Sequence, residues 1–391
     1  MPLILPTNLF KDLPWFHPYI EARERIERHM NPTFSGAADA SQSDLLNRYR
    51  LGASFDIKKD LDGVLEYQNA TDLYWTHSKN GMTQNSDVTL AYADYSTKRV
   101  DYTLGRQKIE LGDQRLIGST EWTVLSRSFD VLRMQSGPWD LWGGTLGVAN
   151  HDTADTRLTV LTHQNDSYGT SSIIYKHDEA ALGAIDEETL DHFVKHKFGN
   201  TTLDAEGALQ GGEANLQTQE AWAYHVRATQ LLLRRLSLSV EADSASGGSP
   251  TSSTSRTFDN LYPSNHDLYG LADTTGWRNM DYLAARIEAR PTDAFAIRGT
   301  AQTISLQNPH GDWFNYSGVP NVSTQGVFVD PTGKSGSHVG DEFDLEAAYK
   351  FKHLGSLTTG IALFDPGDFV KNVSGHGDPE TFFYFQWQAK F

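Results

Sequence analysis

The sequence predicts an all-β protein, a single transmembrane antiparallel β-barrel of about 18 strands with short periplasmic turns and long extracellular loops. Three observations carry this expectation. The segment 381–391 alternates Phe383, Phe385, Trp387, Ala389 and Phe391 with Tyr384, Gln386, Gln388 and Lys390, the period of two of a strand with one greasy and one wet face. Similar segments recur along 391 residues that include 33 glycines and 11% aromatics, a composition suited to many short strands punctuated by turns. The connections between segments are sorted by length, short alternating with long, and a soluble sandwich has no reason to sort them so.

Taken in order, 16–28 sets Ile20, Ala22 and Ile26 against Tyr19, Glu21, Arg23, Arg25 and Glu27. Residues 48–57 set Tyr49, Leu51, Ala53, Phe55 and Ile57 against Arg48, Arg50, Ser54 and Asp56. A third strand carries Leu65 and Tyr67 opposite Glu66 and Gln68. Further strands are expected at 87–96, 100–111, 128–137, 141–149, 157–164, 170–177, 190–198, 201–210, 219–229 and 233–243. The last five fall at 278–290, 293–306, 341–352, 355–364 and 382–391. After every even strand the link is short: KKD, TKR, PWD, NDSYG, GN, QLL, PT and HL. After the odd strands the links are longer, and those near 244–277 and 307–340 are very long. Their length and Gly/Asp/Asn content predict that they fold inward and narrow the mouth, with 244–255 as a mobile arm. No linker suggests a second domain in 1–391. The aromatic final strand resembles the closing strand of bacterial outer-membrane barrels, which leaves the sheet without an edge.

Composition excludes several classes. Mean hydropathy is −0.48, and no run approaches the roughly 18 apolar residues of a membrane helix; a barrel wets half of each strand and has no such run. There are no cysteines, which removes disulfides and thiolate metal sites. A formal charge of −17 would repel nucleic acid. The start, MPLILPTNLF, lacks a basic n-region followed by a long apolar h-region, so no signal peptide is visible; an outer-membrane location then implies a mature form with an added Met1. His310 with Asp312 and His376 with Asp378 sit in Gly-rich loops with too few fixed ligands and read as solvated residues. No cofactor or metal is expected. No Ser/His/Asp order stands out, so no enzyme is expected.

Two stretches resemble a known family. Gly105-Arg106-Gln107, Leu111-Gly112-Asp113-Gln114-Arg115-Leu116-Ile117-Gly118, Trp122 and Arg127-Ser128-Phe129-Asp130 resemble the GRQ…LGD.RL.G…W…R.FD pattern of the alginate-export outer-membrane barrels. A second match runs from Phe258-Asp259-Asn260-Leu261-Tyr262-Pro263-Ser264-Asn265-His266 through Tyr269-Gly270 and Ala272-Asp273 to Trp277-Arg278-Asn279. The resemblance implies a channel that passes an anionic polysaccharide across the outer membrane, periplasmic polysaccharide-secretion partners, and a lumen rich in arginines with acids beside them.

Opposite the aromatic stripe, parity places Arg23, Arg25, Arg48, Arg50, Arg227, Arg286 and Arg298, with acids such as Glu66 and Glu346, toward the lumen. Arg106, Asp130 and Arg133 join them by motif; Arg106 shares its parity with Tyr102 and Leu104, so a bulge at Gly105 would be needed to re-aim it. Arginine suits carboxylates because its planar fork binds both oxygens at any working pH, and neighbouring acids keep such contacts weak enough to release. The plainer reading is that these charges pair across strands and brace the wall. Two other functions fit the same barrel: a general or uptake porin for small solutes, and a sealed barrel displaying adhesive or enzymatic loops.

Overall fold

The alternation sets one face of each segment toward lipid and the other inward, and the hydrogen-bond ladder then joins every strand to its successor. The computed structural model describes residues 12–35, 41–76, 79–147, 156–179, 184–214, 216–249, 252–266 and 268–391. Eighteen antiparallel strands form the wall. They are β1 (Phe16–Met30), β2 (Gln42–Lys58), β3 (Leu61–Thr76), β4 (Asn80–Ser96), β5 (Asp101–Gln107) and β6 (Phe129–Ser136). Next come β7 (Trp139–Leu146), β8 (Thr156–Asn165), β9 (Gly169–Asp178), β10 (Ile185–Phe198), β11 (Thr201–Ala214) and β12 (Gln217–Leu233). The wall ends with β13 (Leu236–Ala245), β14 (Met280–Ala289), β15 (Phe295–Ser305), β16 (His338–Lys350), β17 (Ser356–Pro366) and β18 (Glu380–Lys390). β18 pairs back onto β1, from Glu21 opposite Lys390 to Met30 opposite Thr381. The sheet is therefore a closed cylinder.

Leu51, Leu104, Tyr224, Val226, Leu283, Phe343, Leu345, Phe383 and Phe385 are exposed on the outer face, as a lipid-facing band requires. No helix among the described residues is long and apolar enough to cross a membrane; α1 (Asp368–Ser374) covers seven residues. Several strands extend further than periodicity predicts. β2 starts at Gln42, β3 runs to Thr76 and β4 starts at Asn80. These outer ends project past the lipid band, where both faces are wet and the apolar signal fades. The QLL segment lies within β12, and the turn falls on Arg234-Arg235. Trp139 and Asp140 likewise belong to β7, leaving Gly137-Pro138 as the turn, with Gly137 at φ 55°.

Three long loops fill the interior or cap it. Residues 108–128 leave β5 and cross inward, where Ile117 makes a parallel bridge to Tyr262. The Tyr262 N–H donates to Leu116 O at 2.8 Å, and the Gly118 N–H to Tyr262 O at 2.9 Å. The second partner is the 246–279 loop, which presses on the inner wall. There Gly270 (φ 100°) approaches so closely that a Cβ would stand 2.4 Å from Glu342 Oε1. Phe258, Tyr269 and Trp277 of this loop are buried. The 306–337 loop caps the extracellular mouth, packing Trp313 and Phe328 against Phe34. The expected mobile arm is hydrogen-bonded where described: Ser246 N–H donates to Trp222 O, and Thr254–Ser255 pair with Thr218 and Gln219 of β12; Pro250 and Thr251 lie outside the described residues.

Candidate transport site

Adjacent strands of like alternation bring Arg23 and Arg25 (β1), Arg48 and Arg50 (β2) and Glu66 (β3) onto one inner patch, with Arg23 directly opposite Arg48. Like charges side by side repel, so the patch needs counter-groups: Glu21 of the wall lies 3.0 Å from Arg48 and 3.3 Å from Arg50, Glu27 pairs with Arg25 at 2.5 Å, and the 108–128 loop brings the rest. Arg23 donates to the carbonyls of Glu121 (2.6 Å) and Thr123 (2.8 Å). Arg25 donates to Trp122 O at 2.7 Å, and Arg48 to Glu121 O at 2.9 Å. The Glu121 carboxylate lies 2.9 Å from Arg50, 3.1 Å from Arg48 and 2.5 Å from Lys108. Arg50 also donates to Gln68 and Ser126, while Glu66 accepts from Tyr19 and Thr89. Burial would push the Glu121 carboxyl up, but Arg50, Arg48 and Lys108 hold it down at about 2. Its side chain remains 40% exposed while those of Arg48 and Arg50 are 1–2% exposed.

Trp122 forms the waist of the lumen. The Arg25 guanidinium lies 3.6 Å over its ring, the His266 ring stacks on it at 3.5 Å, and Tyr384 meets it edge-on at 4.9 Å. A cation over an indole face is a favourable contact, the more so when desolvated. The stack separates two cavities. The outer one, about 410 Å³, includes Glu27, Asp44, Asp72, Asp273 and Glu380 in its lining. The inner one, about 530 Å³, includes Arg23, Arg48, Glu121 and Glu346.

The same loop meets the opposite wall through Arg115, which is fully buried. Its guanidinium reaches Glu241 (2.8 Å), Asp243 (2.9 Å), Asp113 (3.1 Å) and the Tyr269 hydroxyl (2.5 Å). Burial would pull Arg115 down, yet Tyr269, Asp243, Asp113 and Glu241 together hold it well above its ordinary value. Sets that could hold a metal, Asp113 with Asp204 and His225, and His225 with Glu241 and Asp243, are crossed by this guanidinium and by Arg227, which pairs with Asp204 at 2.7 Å. Arg127 is the contrasting case: it donates to the carbonyls of Gly118 and Pro263, and burial pulls it down to about 10.

The remaining candidates are dispersed. Arg298 pairs with Glu346 at 3.2 Å, and Arg286 reaches Thr300 at 3.3 Å. Arg133 pairs with Asp140 at the periplasmic end of β6–β7. Arg106 and Asp130 bind each other at 2.7 Å but stand apart from the lumen patch. Asp130 alternates with the buried Phe129 and Val131, and Leu104 and Leu132 beside the pair are exposed. Gly105 takes φ 122° without any register shift in the β4–β5–β6 ladder. No bulge re-aims Arg106, and the expected lumen position gives way to the outer face near the extracellular rim. Sequence reasoning missed Glu121, Lys108, Arg115 and His266. The 108–128 loop was the available signal for the first three and the 258–279 motif for His266, because these motif residues fall between strands and have no strand role.

A closed barrel with a lipid-facing band, a polar interior and inward-folded loops defines a bacterial outer-membrane β-barrel. The chain belongs to the alginate-export family, whose model matches residues 16–383, and is thereby a channel and not an enzyme. Among solved structures it is similar to Pseudomonas aeruginosa OccK5 (OpdH), with a TM-score of 0.65 at 10% identity over 96% of this chain and 98% of that one. Acinetobacter baumannii OccAB2 aligns with a TM-score of 0.64 at 9% identity over 96% and 98%. Pseudomonas aeruginosa OpdK with vanillate aligns at 0.64 and 10% identity over 96% and 99%. No curated protein sequence matches it.

Proposed function

We propose that this channel passes an anionic polysaccharide or its oligomers passively, using the β1–β2 arginines as an exchangeable carboxylate site. One observation carries the reading: a carboxylate on a loop, Glu121, sits on Arg48, Arg50 and Lys108 while half open to the inner cavity. It stands where a uronate carboxylate of the cargo would stand. A built-in competitor of this kind lowers the net affinity of each contact, which conduction requires. The energy source is the concentration gradient alone. Family membership supports an acidic cargo.

The test is block of single channels in planar bilayers by a short mannuronate oligomer, against a neutral maltooligosaccharide of equal length. Block by the mannuronate alone is expected, weakened in R48Q/R50Q and strengthened in E121Q. Equal block by both sugars, or mannuronate block untouched by either variant, would remove the proposal. A second reading, uptake of small carboxylates, is favoured by the division of the lumen into cavities of about 410 and 530 Å³ and by the vanillate in the OpdK structure. Permeation of a single uronate with no block by its oligomers would select it.

A further inference from the structure

The charges along the channel axis are not evenly distributed. At the periplasmic rim, the sector from β10 to β17 exposes Lys195, Lys197, Arg234, Arg290, Lys350 and Lys352. Its acids are Glu288, in contact with Arg290, and Asp293, held by Arg235 at 2.8 Å. Among the described residues, Lys195, Lys197, Arg234, Lys350 and Lys352 form no ion pair. The rest of the rim differs, since Lys58, Lys59, Lys98 and Arg99 alternate there with Asp56, Asp60, Asp62 and Asp101. Alternation points the end of the basic sector into the lumen: Lys350 shares the face of Glu346 and Ala348, opposite the exposed Phe343 and Leu345. Ala348 lines both the cavity under this rim and the inner cavity that holds Arg23 and Arg48. The basic sector therefore opens onto the inner cavity, whose lining mixes Arg23 and Arg48 with Glu110, Asp113, Glu121 and Glu346. Beyond the waist, among the described residues, no basic rim stands over the acids, and Glu27, Asp44, Asp72, Asp273 and Glu380 line the outer cavity beside Arg25 and His29.

We infer that the basic sector of the periplasmic rim is a collecting surface for polyanions, so that an acidic chain enters faster from the periplasm than from outside. This rests on the proposed acidic cargo. A cleft lined by one sign of charge raises the association rate of an opposite charge by about 10 to 1000-fold, whereas the acidic outer cavity repels it. The channel is thus passive in energy but one-sided in access.

The experiment adds the short mannuronate oligomer to one side of an oriented bilayer and counts blocking events. At low salt the association rate from the periplasmic side should exceed that from the outer side by about tenfold or more. The excess should vanish as screening shortens the reach of the field to about 3 Å at 1 M salt. In R234E/K350E/K352E the periplasmic rate should fall to the outer one, with the neutral R234Q/K350Q/K352Q in between. The dissociation rate, set by the midline arginines, should stay in place. Equal rates from both sides at low salt, or an excess that survives charge reversal, would overturn the inference and leave the carboxylate site standing. Block from neither side would overturn both.

Discussion

Two walls of the barrel hold the same loop with opposite polarity. On β1–β2 the cations belong to the wall, and the loop contributes carbonyls and the Glu121 carboxylate. On β11–β13 the acids belong to the wall, and the loop contributes the cation, Arg115. The loop is clamped across the lumen by charge of both signs. Yet the two clamps differ in access. Arg115 is wholly enclosed, whereas Glu121 faces a cavity. An enclosed charge cannot exchange partners with a solute, because leaving it unpaired carries the full cost of burial. A half-exposed one can. One clamp is therefore architecture, and the other is the place where cargo can compete.

Breaking the enclosed clamp should have the largest effect. R115M leaves Asp113, Glu241 and Asp243 with only Arg227 and His225 beside them among the described residues, and breaking a buried pair costs about 3–5 kcal/mol; the unfolding midpoint in detergent should drop markedly, and R115K should recover part of it. Next, R48Q/R50Q should lower the anion-to-cation permeability ratio toward unity, read from reversal potentials in a salt gradient, with a smaller change in the midpoint than R115M. A full loss of folding in R48Q/R50Q would erase the distinction between the walls. W122A joins the two cavities and should raise single-channel conductance by a factor of about two, since a constriction limits flux. The smallest effect concerns pH. Glu121 is held below its unfolded value of 4.5, at about 2, so its contribution to loop attachment is present above pH 4.5 and is lost as pH falls toward 2. Ion selectivity should not respond to this group between about pH 5 and 8 and should become more anionic only as pH falls toward about 2, a rise that E121Q abolishes. A selectivity change centred near pH 6 that E121Q abolishes would place Glu121 elsewhere.

The cylinder was legible because strand alternation is a local signal: Phe383 and Phe385 outward and Tyr384 inward need no knowledge of distant residues. The arginine patch was legible for the same reason, since Arg23, Arg25, Arg48 and Arg50 lie on consecutive strands of known parity. Part of what neutralises them was legible too, since Glu21 and Glu27 share their face and pair with Arg48, Arg50 and Arg25. The loop's share was not: main-chain carbonyls about a hundred positions away, such as Glu121 O for Arg23, leave no mark in a sequence. Arg115 was visible inside a motif, but its partners are spread over β11, β12, β13 and a second loop. Arg106 misled because the motif was set above its shared parity with Tyr102 and Leu104, and the ladder runs through Gly105 with no bulge to re-aim it.

The meeting of Ile117 and Tyr262 has a kinetic consequence. Neither segment can find the other until the cylinder around them has closed, because each is steadied by strands far from it along the chain. Insertion into the bilayer should then pass through a hollow, leaky tube whose large currents decay to the native level as the interior partition assembles, and its lifetime would report how fast two loops dock in a confined, water-filled space.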